Sequence, residues 1–451
     1  MRFTAAELRA RLSPLVLLAH VVGTYAAPLF NAPLRAQSLT APHDTTATHR
    51  GFTLADAAAL ARRQHPLLTA AGGRRQSIAG AARQEAAPPN PTLEWRKENL
   101  NSPLARDEFV TAALPIDLYG RRVALRSASA LTATRALQDS ATTARQVEFD
   151  VARAYWRTTL AFALHDAATS QRHAVDTIAR IEGERARQGA VPAGAALRAR
   201  LEADRARLTE ASARAELERA RGDLARALAM PVDSVPRPTE SLHVDSGVVV
   251  PPMSALLAMA RERRSELLAA RARVDEASRR QLAERLGTLP ALGVQVGTKR
   301  TSGYKTGTVA LGVAIPLFDR NGGNRERARG EVILAESDLR AVQATVDADV
   351  IAAARAYATL LAEYDRALDP DAAGDGLREL DARGARVATI AATAYREGAI
   401  ALFELLDAER VRADVRVAAL RAAVDVHMAR LDLLRALGLA VDGARILPTV
   451  Q

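Results

Sequence analysis

The sequence predicts a mainly α-helical chain with a small β part, built as two tandem repeats of about 200 residues that each hold long helices and two short strands. Three observations carry this reading. Ala, Leu and Arg dominate the 451 residues while aromatics make up only 4%, a composition for long helices packed on one another rather than for an aromatic-filled core. The same landmarks recur in the same order through both halves. Each half also breaks its helical pattern once, with two short runs that alternate apolar and small or polar residues.

The repeat begins with TLADAAALARRQHPLLTAAG at Thr53, matched by PMSALLAMARERRSELLAAR at Pro252, an offset of 199. Pro115 and Pro316 lie 201 apart, and Tyr155 and Tyr357 lie 202 apart. Gly189 and Gly398, and the segments DLARAL (223–228) and DLLRAL (432–437), lie 209 apart. The second copy therefore gains seven residues after Tyr357, near LDPDAAGDG (368–376), where Pro and Gly should interrupt a helix. The first repeat spans 52–230 and the second 251–440, joined by a Pro-rich linker over 231–250 and followed by a tail over 441–451.

Each copy opens with a helix, 54–86 or 253–286, which PPNP (88–91) or GTLP (287–290) stops. Strands follow at about 92–99 and 109–118, and at about 291–299 and 306–317. In the second copy Leu292, Val294 and Val296, then Val309, Leu311, Val313 and Ile315, fall on alternate positions, which gives one apolar face. Next come a very long helical stretch (121–187; 324–394), a turn centred on Gly189 or Gly398, and a further helix (194–229; 400–437). Sixty-odd helical residues reach about 90–100 Å, so they must pack on other long helices. The Gly turns are then the far tips of two helical hairpins, opposite the strands.

The formal charge is +10 and 59 of the 62 basic residues are Arg, spread along the chain rather than run together. With no nucleic-acid motif, no nucleic-acid partner is expected. The three lysines, Lys97, Lys299 and Lys305, all fall in the strand regions or their loop. Cys is absent, which excludes disulfides, thiol chemistry and an acylated N-terminal Cys. Arg2, Arg9 and Arg11 precede LVLLAHVVGTYAA, and small residues follow near Ala36, so 1–36 reads as an export signal ahead of a polar tail over 37–51. No later stretch is apolar for long enough to be a membrane-spanning helix.

Four strands with an apolar face leave two unpaired edges, and a membrane tolerates strands only when they close into a barrel. Bacterial barrels use at least eight strands, so four cannot close alone, whereas three chains supply twelve. With the export signal and the helical hairpins, this points to a shared barrel above a helical tube.

Here the chain resembles the TolC-like outer-membrane efflux family, over about 52–440. The resemblance rests on LADAAALARRQHP (54–66), Asn90-Pro91 before the first strand, LPIDLYGRR (114–122) with IPLFDRNGG (315–323), and YREGAIALFELLDAER (395–410), all in order. It implies a homotrimer with one twelve-stranded barrel in the outer membrane and an α-helical barrel extending into the periplasm. It also implies passive conduction, driven by an inner-membrane pump through a periplasmic adaptor. Metal-ion pumps, drug pumps and type I secretion systems all use such channels, and Asn90-Pro91 before the first strand leans towards the resistance-nodulation-division type. In the family the hairpin tips meet the adaptor, which maps onto Gly189, Ala190 and Val191 and onto Gly398, Ala399 and Ile400. Acidic residues past the second tip ring the narrowest point, which maps onto Glu404 and Asp407, with Tyr395 helping to bond the closed state. An Arg that the family often carries nearby is Ile400 here, so packing by Phe403 is the expected substitute. The first copy has Ala195 and Arg198 where the second has the acids.

No enzyme is expected, for there is no HExxH, GxSxG or phosphate-loop motif. No cofactor is expected either, although His43, Asp44 and His49 could hold a metal weakly. The alternative to a channel is a periplasmic coiled-coil scaffold with no pore, which explains the helices but not the duplicated strand pairs.

Overall fold

A computed structural model describes residues 51–101, 106–244, 250–367 and 376–441, with side chains left undescribed over 366–381. The expected export signal, most of the N-terminal tail with His43, Asp44 and His49, part of the linker, most of 368–376 and nearly all of the C-terminal tail lie outside the described residues.

The first repeat opens with α1 (Leu54–Gln64) and α2 (Pro66–Glu85), not with the single helix expected over 54–86. Pro66 is the reason. A residue before proline is driven out of the helical region, and His65 is extended, with ψ 123°. Its Nδ1 then accepts the Leu67 amide at 3.2 Å and caps the new helix. The second repeat makes the same break between α5 (Met253–Arg263) and α6 (Ser265–Leu286) without a proline. There the buried Arg264 guanidinium donates to the carbonyls of Arg435 and Ala436, at 3.2 and 3.4 Å. It thereby satisfies the last turn of a distant helix.

Strands β1 (Thr92–Glu98), β2 (Asp107–Ile116), β3 (Ala291–Thr301) and β4 (Tyr304–Ala314) form one antiparallel sheet in sequence order. The two repeats meet inside it, because β2 pairs with β3, with Ile116 opposite Leu292 and Asp107 opposite Thr301. One face carries Leu93, Trp95, Val110, Leu114, Ile116, Leu292, Val294, Val296, Val309, Leu311 and Val313. Many of these are bare in the single chain, with Leu93 and Val309 each 77% exposed. The other face is small and polar, including Thr111, Gln295 and Gly297. The neighbouring strand approaches closely there: a Cβ on Gly297 would lie 2.3 Å from the Val110 carbonyl oxygen, so the position needs glycine. Strands of 10 and 11 residues in β2, β3 and β4 suit a tilted crossing of a bilayer.

The chain leaves each strand pair through a capped corner. Asp117 accepts the amides of Arg121 and Arg122 at 3.1 and 2.6 Å, and Asp319 accepts the amide of Asn321 at 2.8 Å. From the first corner runs α3 (Arg121–Arg187), 67 residues or about 100 Å, followed by α4 (Ala193–Leu228). From the second run α7 (Gly322–Ala367), α8 (Gly376–Arg396) and α9 (Leu402–Ala436). Buried alanines such as Ala199, Ala203 and Ala220 let these helices lie close. Interhelical ion pairs use the abundant Arg: Arg135 with Glu276 at 3.1 Å, Arg172 with Glu210 at 2.6 Å and Arg261 with Asp347 at 2.6 Å.

The main core gathers the middle of α3, the later half of α7 and the C-terminal ends of α4 and α9, and it obeys the repeat. Tyr155 and Tyr357, Leu224 and Leu433, and Leu228 and Leu437 are all buried there. Trp156 stacks on His427 at 3.9 Å. The Tyr155 hydroxyl donates to the Phe52 carbonyl at 2.8 Å and accepts the Glu240 amide at 3.3 Å, so it ties the start of the first repeat to the linker. Among the described residues, no helix is long and apolar enough to cross a membrane.

Burial pushes the Tyr155 phenol from 10 up to about 12. The stability its neutral form contributes is therefore complete below pH 10 and lost as the pH rises towards 12. Tyr155→Phe should remove that alkaline component. It should cost about 1 kcal/mol near neutral pH, because Thr239 still serves the Phe52 carbonyl but Glu240 loses its acceptor. Thermal unfolding followed by circular dichroism across this pH range measures both effects.

Candidate functional site

The two hairpin tips are built alike. After α3, Gly189 has φ +76°, its amide bonds to the Ala186 carbonyl at 3.1 Å, and the Ala190 amide bonds to the Arg185 carbonyl at 2.8 Å. After α8, Gly398 has φ +75°, with the corresponding bonds from Gly398 to Tyr395 at 3.1 Å and from Ala399 to Ala394 at 2.8 Å. This pair of bonds is the Schellman ending, and its left-handed position favours glycine. No heavy atom lies within 4 Å of where a Cβ would stand on either glycine, so the glycines answer to backbone conformation and leave the tips open. Gly189, Ala190, Gly398 and Ala399 are exposed, while Val191 and Ile400 are half-buried at matching places. The duplicated motif is thus a duplicated surface.

Below the tips, four helices converge. Val175 of α3, Ala199 and Ala203 of α4, and Leu402, Leu405 and Leu406 of α9 form one apolar cluster, with Ala391, Ala392 and Tyr395 of α8 against it. Because Leu402, Leu405 and Leu406 face inward, Phe403, Glu404 and Asp407 stand on the opposite, exposed face of α9. Phe403 is 60% exposed. The Glu404 carboxylate also lies 3.5 Å from the Ala401 amide at the helix N-terminus, where a negative charge is favoured by the helix dipole.

Tyr395 is held differently from Phe403. Its hydroxyl accepts a hydrogen bond from Arg185 Nη1 at 3.0 Å, and the Arg185 guanidinium also lies over its ring at 5.5 Å. Arg185 pairs in turn with Glu182, at 3.3 Å, whose side chain is buried. Burial, with the Glu182 carboxylate beside it, holds the Tyr395 hydroxyl above its ordinary pKa, so it stays neutral through physiological pH. A second tie crosses the hairpins from Arg410 of α9 to Glu202 of α4, at 2.8 Å. Glu182 and Arg185 escaped the sequence reading. Their i, i+3 spacing is legible in IEGER, but it looks like an ordinary helix-surface pair until the fold brings Tyr395, 210 positions away, onto it.

Residues 256–439 match the family described as Outer membrane efflux protein. The match lies within the second repeat. The first repeat has the same element order, and solved outer-membrane channels share the fold across both. VceC, an outer membrane protein of Vibrio cholerae, matches with TM-score 0.68 and 17% identity, over 86% of this chain and 97% of its own. The CmeC outer membrane channel of Campylobacter jejuni gives 0.68 and 17%, over 92% and 95%. The MtrE outer membrane channel of Neisseria gonorrhoeae, in its open state, gives 0.67 and 19%, over 93% and 99%. At these identities the structural likeness is one of fold. No curated protein matches in sequence. By description the matched family is one of outer membrane efflux proteins, and these three structures are outer membrane proteins.

Removing the Arg185 guanidinium leaves Glu182 buried without its cation. Arg185→Ala should therefore loosen the tips by about 1–3 kcal/mol, and Tyr395→Phe by about 1 kcal/mol. Hydrogen exchange in residues 178–190 and 391–405 should quicken in both variants and stay unchanged near Tyr155.

Proposed function

We propose that this chain is the outer-membrane channel of a tripartite efflux system, acting as a homotrimer that conducts substrates passively from an inner-membrane pump and periplasmic adaptor to the exterior. The observation that carries this reading is the sheet. It has an apolar face and two open edges, β1 and β4. Hydrocarbon offers an edge strand no partner, so the edges must pair with those of other copies. Three sheets of four strands make a barrel of twelve, an even number in the range that bacterial barrels use. The helices ask for the same closure: Leu197, Leu201 and Leu208 of α4 form an exposed apolar stripe, 61% to 72% bare, and Ile333 and Leu334 of α7 are bare as well. Such a stripe needs a neighbouring helix.

Within the trimer, Glu404 and Asp407 from three chains ring the periplasmic aperture and favour cations. Tyr395, held by Arg185, keeps the two hairpins together in the closed state, and Phe403 adds apolar bulk beside the acids. The surfaces at Gly189, Ala190 and Val191 and at Gly398, Ala399 and Ile400 dock the adaptor. Their likeness lets one adaptor surface recognise both tips. The pump is of the resistance-nodulation-division type.

Light scattering of the detergent-solubilised protein should give the mass of a trimer; a stable monomer would sink the channel reading and favour a scaffold with no pore. In planar bilayers, Glu404→Ala with Asp407→Ala should weaken cation selectivity and block by divalent cations. Unchanged conductance would remove these two residues from the aperture. Gly189→Ala with Gly398→Ala should cost about 1–2 kcal/mol at each left-handed position. Bulky charged residues at Ala190 and Ala399, which need no special backbone, should abolish efflux while the trimer persists.

A further inference from the structure

The outer face of the sheet ends in a row of cations that the channel reading does not use. Cross-strand register sets Lys97 opposite Glu108, Glu108 opposite Arg300, and Arg300 opposite Lys305. Side chains alternate along a strand, so this row shares its face with Leu93, Leu114, Val294 and Leu311. It lies at the end of the sheet away from the helices. One step towards the helices on the same face is Trp95, with the Lys97 ammonium 5.9 Å from its ring centroid.

The charges on the two faces differ in how they are met. On the inner face Lys299 pairs with Asp107 at 3.0 Å and Arg96 with Glu98 at 3.3 Å. On the outer face the single acid, Glu108, accepts the Trp95 indole at 2.8 Å and reaches Arg300 only at 4.0 Å. Among the described residues, neither Lys97 nor Lys305 has an acidic partner, and both are exposed, as is Arg300. The row thus carries surplus positive charge at the boundary of an apolar band, next to an aromatic of the kind that marks a membrane interface.

We propose that Lys97, Arg300 and Lys305 form a docking belt for the phosphorylated headgroups of outer-leaflet lipid, with acyl chains lying along the apolar rows below. This rests on the barrel reading above, which puts this face against lipid. Lysine serves phosphate as a compact point charge. The apolar rows beneath distinguish a lipid from free phosphate, since only a lipid engages both. All three lysines of the chain lie in the sheet, and two of them are in this row.

Native mass spectrometry of the full chain tests the belt, using wild type and the combined variant Lys97→Gln, Arg300→Gln, Lys305→Gln, each incubated with lipid A or with its dephosphorylated form. Each cation near an anionic surface contributes about a fivefold factor, so the variant should bind lipid A on the order of a hundredfold more weakly. The two proteins should bind the dephosphorylated form equally, and excess inorganic phosphate should leave lipid A bound to the wild type. Equal lipid A binding by trimers of both proteins would overturn the belt and leave the channel reading standing. Displacement by inorganic phosphate would assign the row to free phosphate instead. A monomeric mass for the wild type would overturn both.

Discussion

Unpaired backbone at the two edges of the four-stranded sheet is the constraint on which the rest of this protein depends. Among the described residues the sheet has an apolar face and leaves β1 and β4 open. A buried N–H or C=O without a partner costs several kcal/mol, and lipid cannot supply one. The sheet is stable in a membrane only in company. On the other face Gly297 lets β2 and β3 approach more closely than a side chain would allow. The helices inherit the demand, since among the described residues Leu197, Leu201 and Leu208 of α4 and Ile333 and Leu334 of α7 stay bare.

Duplication explains how one chain supplies both ends of such an assembly. Each repeat gives two strands, a capped corner and a hairpin, so a trimer is close to sixfold in its parts. The copies then diverge where chemistry is needed. The first supplies Glu182 and Arg185, and the second supplies Tyr395, Glu404 and Asp407. The contact between Arg185 and Tyr395 therefore joins one hairpin to the other. Phe403 stands outside the apolar cluster below the tips, 60% exposed.

The charged residues divide by setting. Along the helices Arg is spent on interhelical pairs with Asp and Glu, where its planar fork reaches across a groove. On the sheet, inward charges find each other, whereas the outer rim keeps a surplus of cations. In the proposed barrel the first face lines the water-filled interior and the second meets lipid.

The sequence by itself determined the repeat, the element order, the strand pairs and the glycine tips. All of these rest on local periodicity, on proline and glycine punctuation, and on offsets that survive between copies. Even the split of the first helix is legible in His65-Pro66, although the helical pattern runs on through it. The matching break at Arg264 was not written, for it is held by carbonyls of α9 that lie some 170 residues away. Tertiary structure alone decided the partner of Tyr395, the exposed setting of Glu404 and Asp407, and the alignment of Lys97, Arg300 and Lys305 into one row. Each of these depends on which distant segments the sheet register and helix packing bring together, and contacts of that range leave no periodic trace in a single chain.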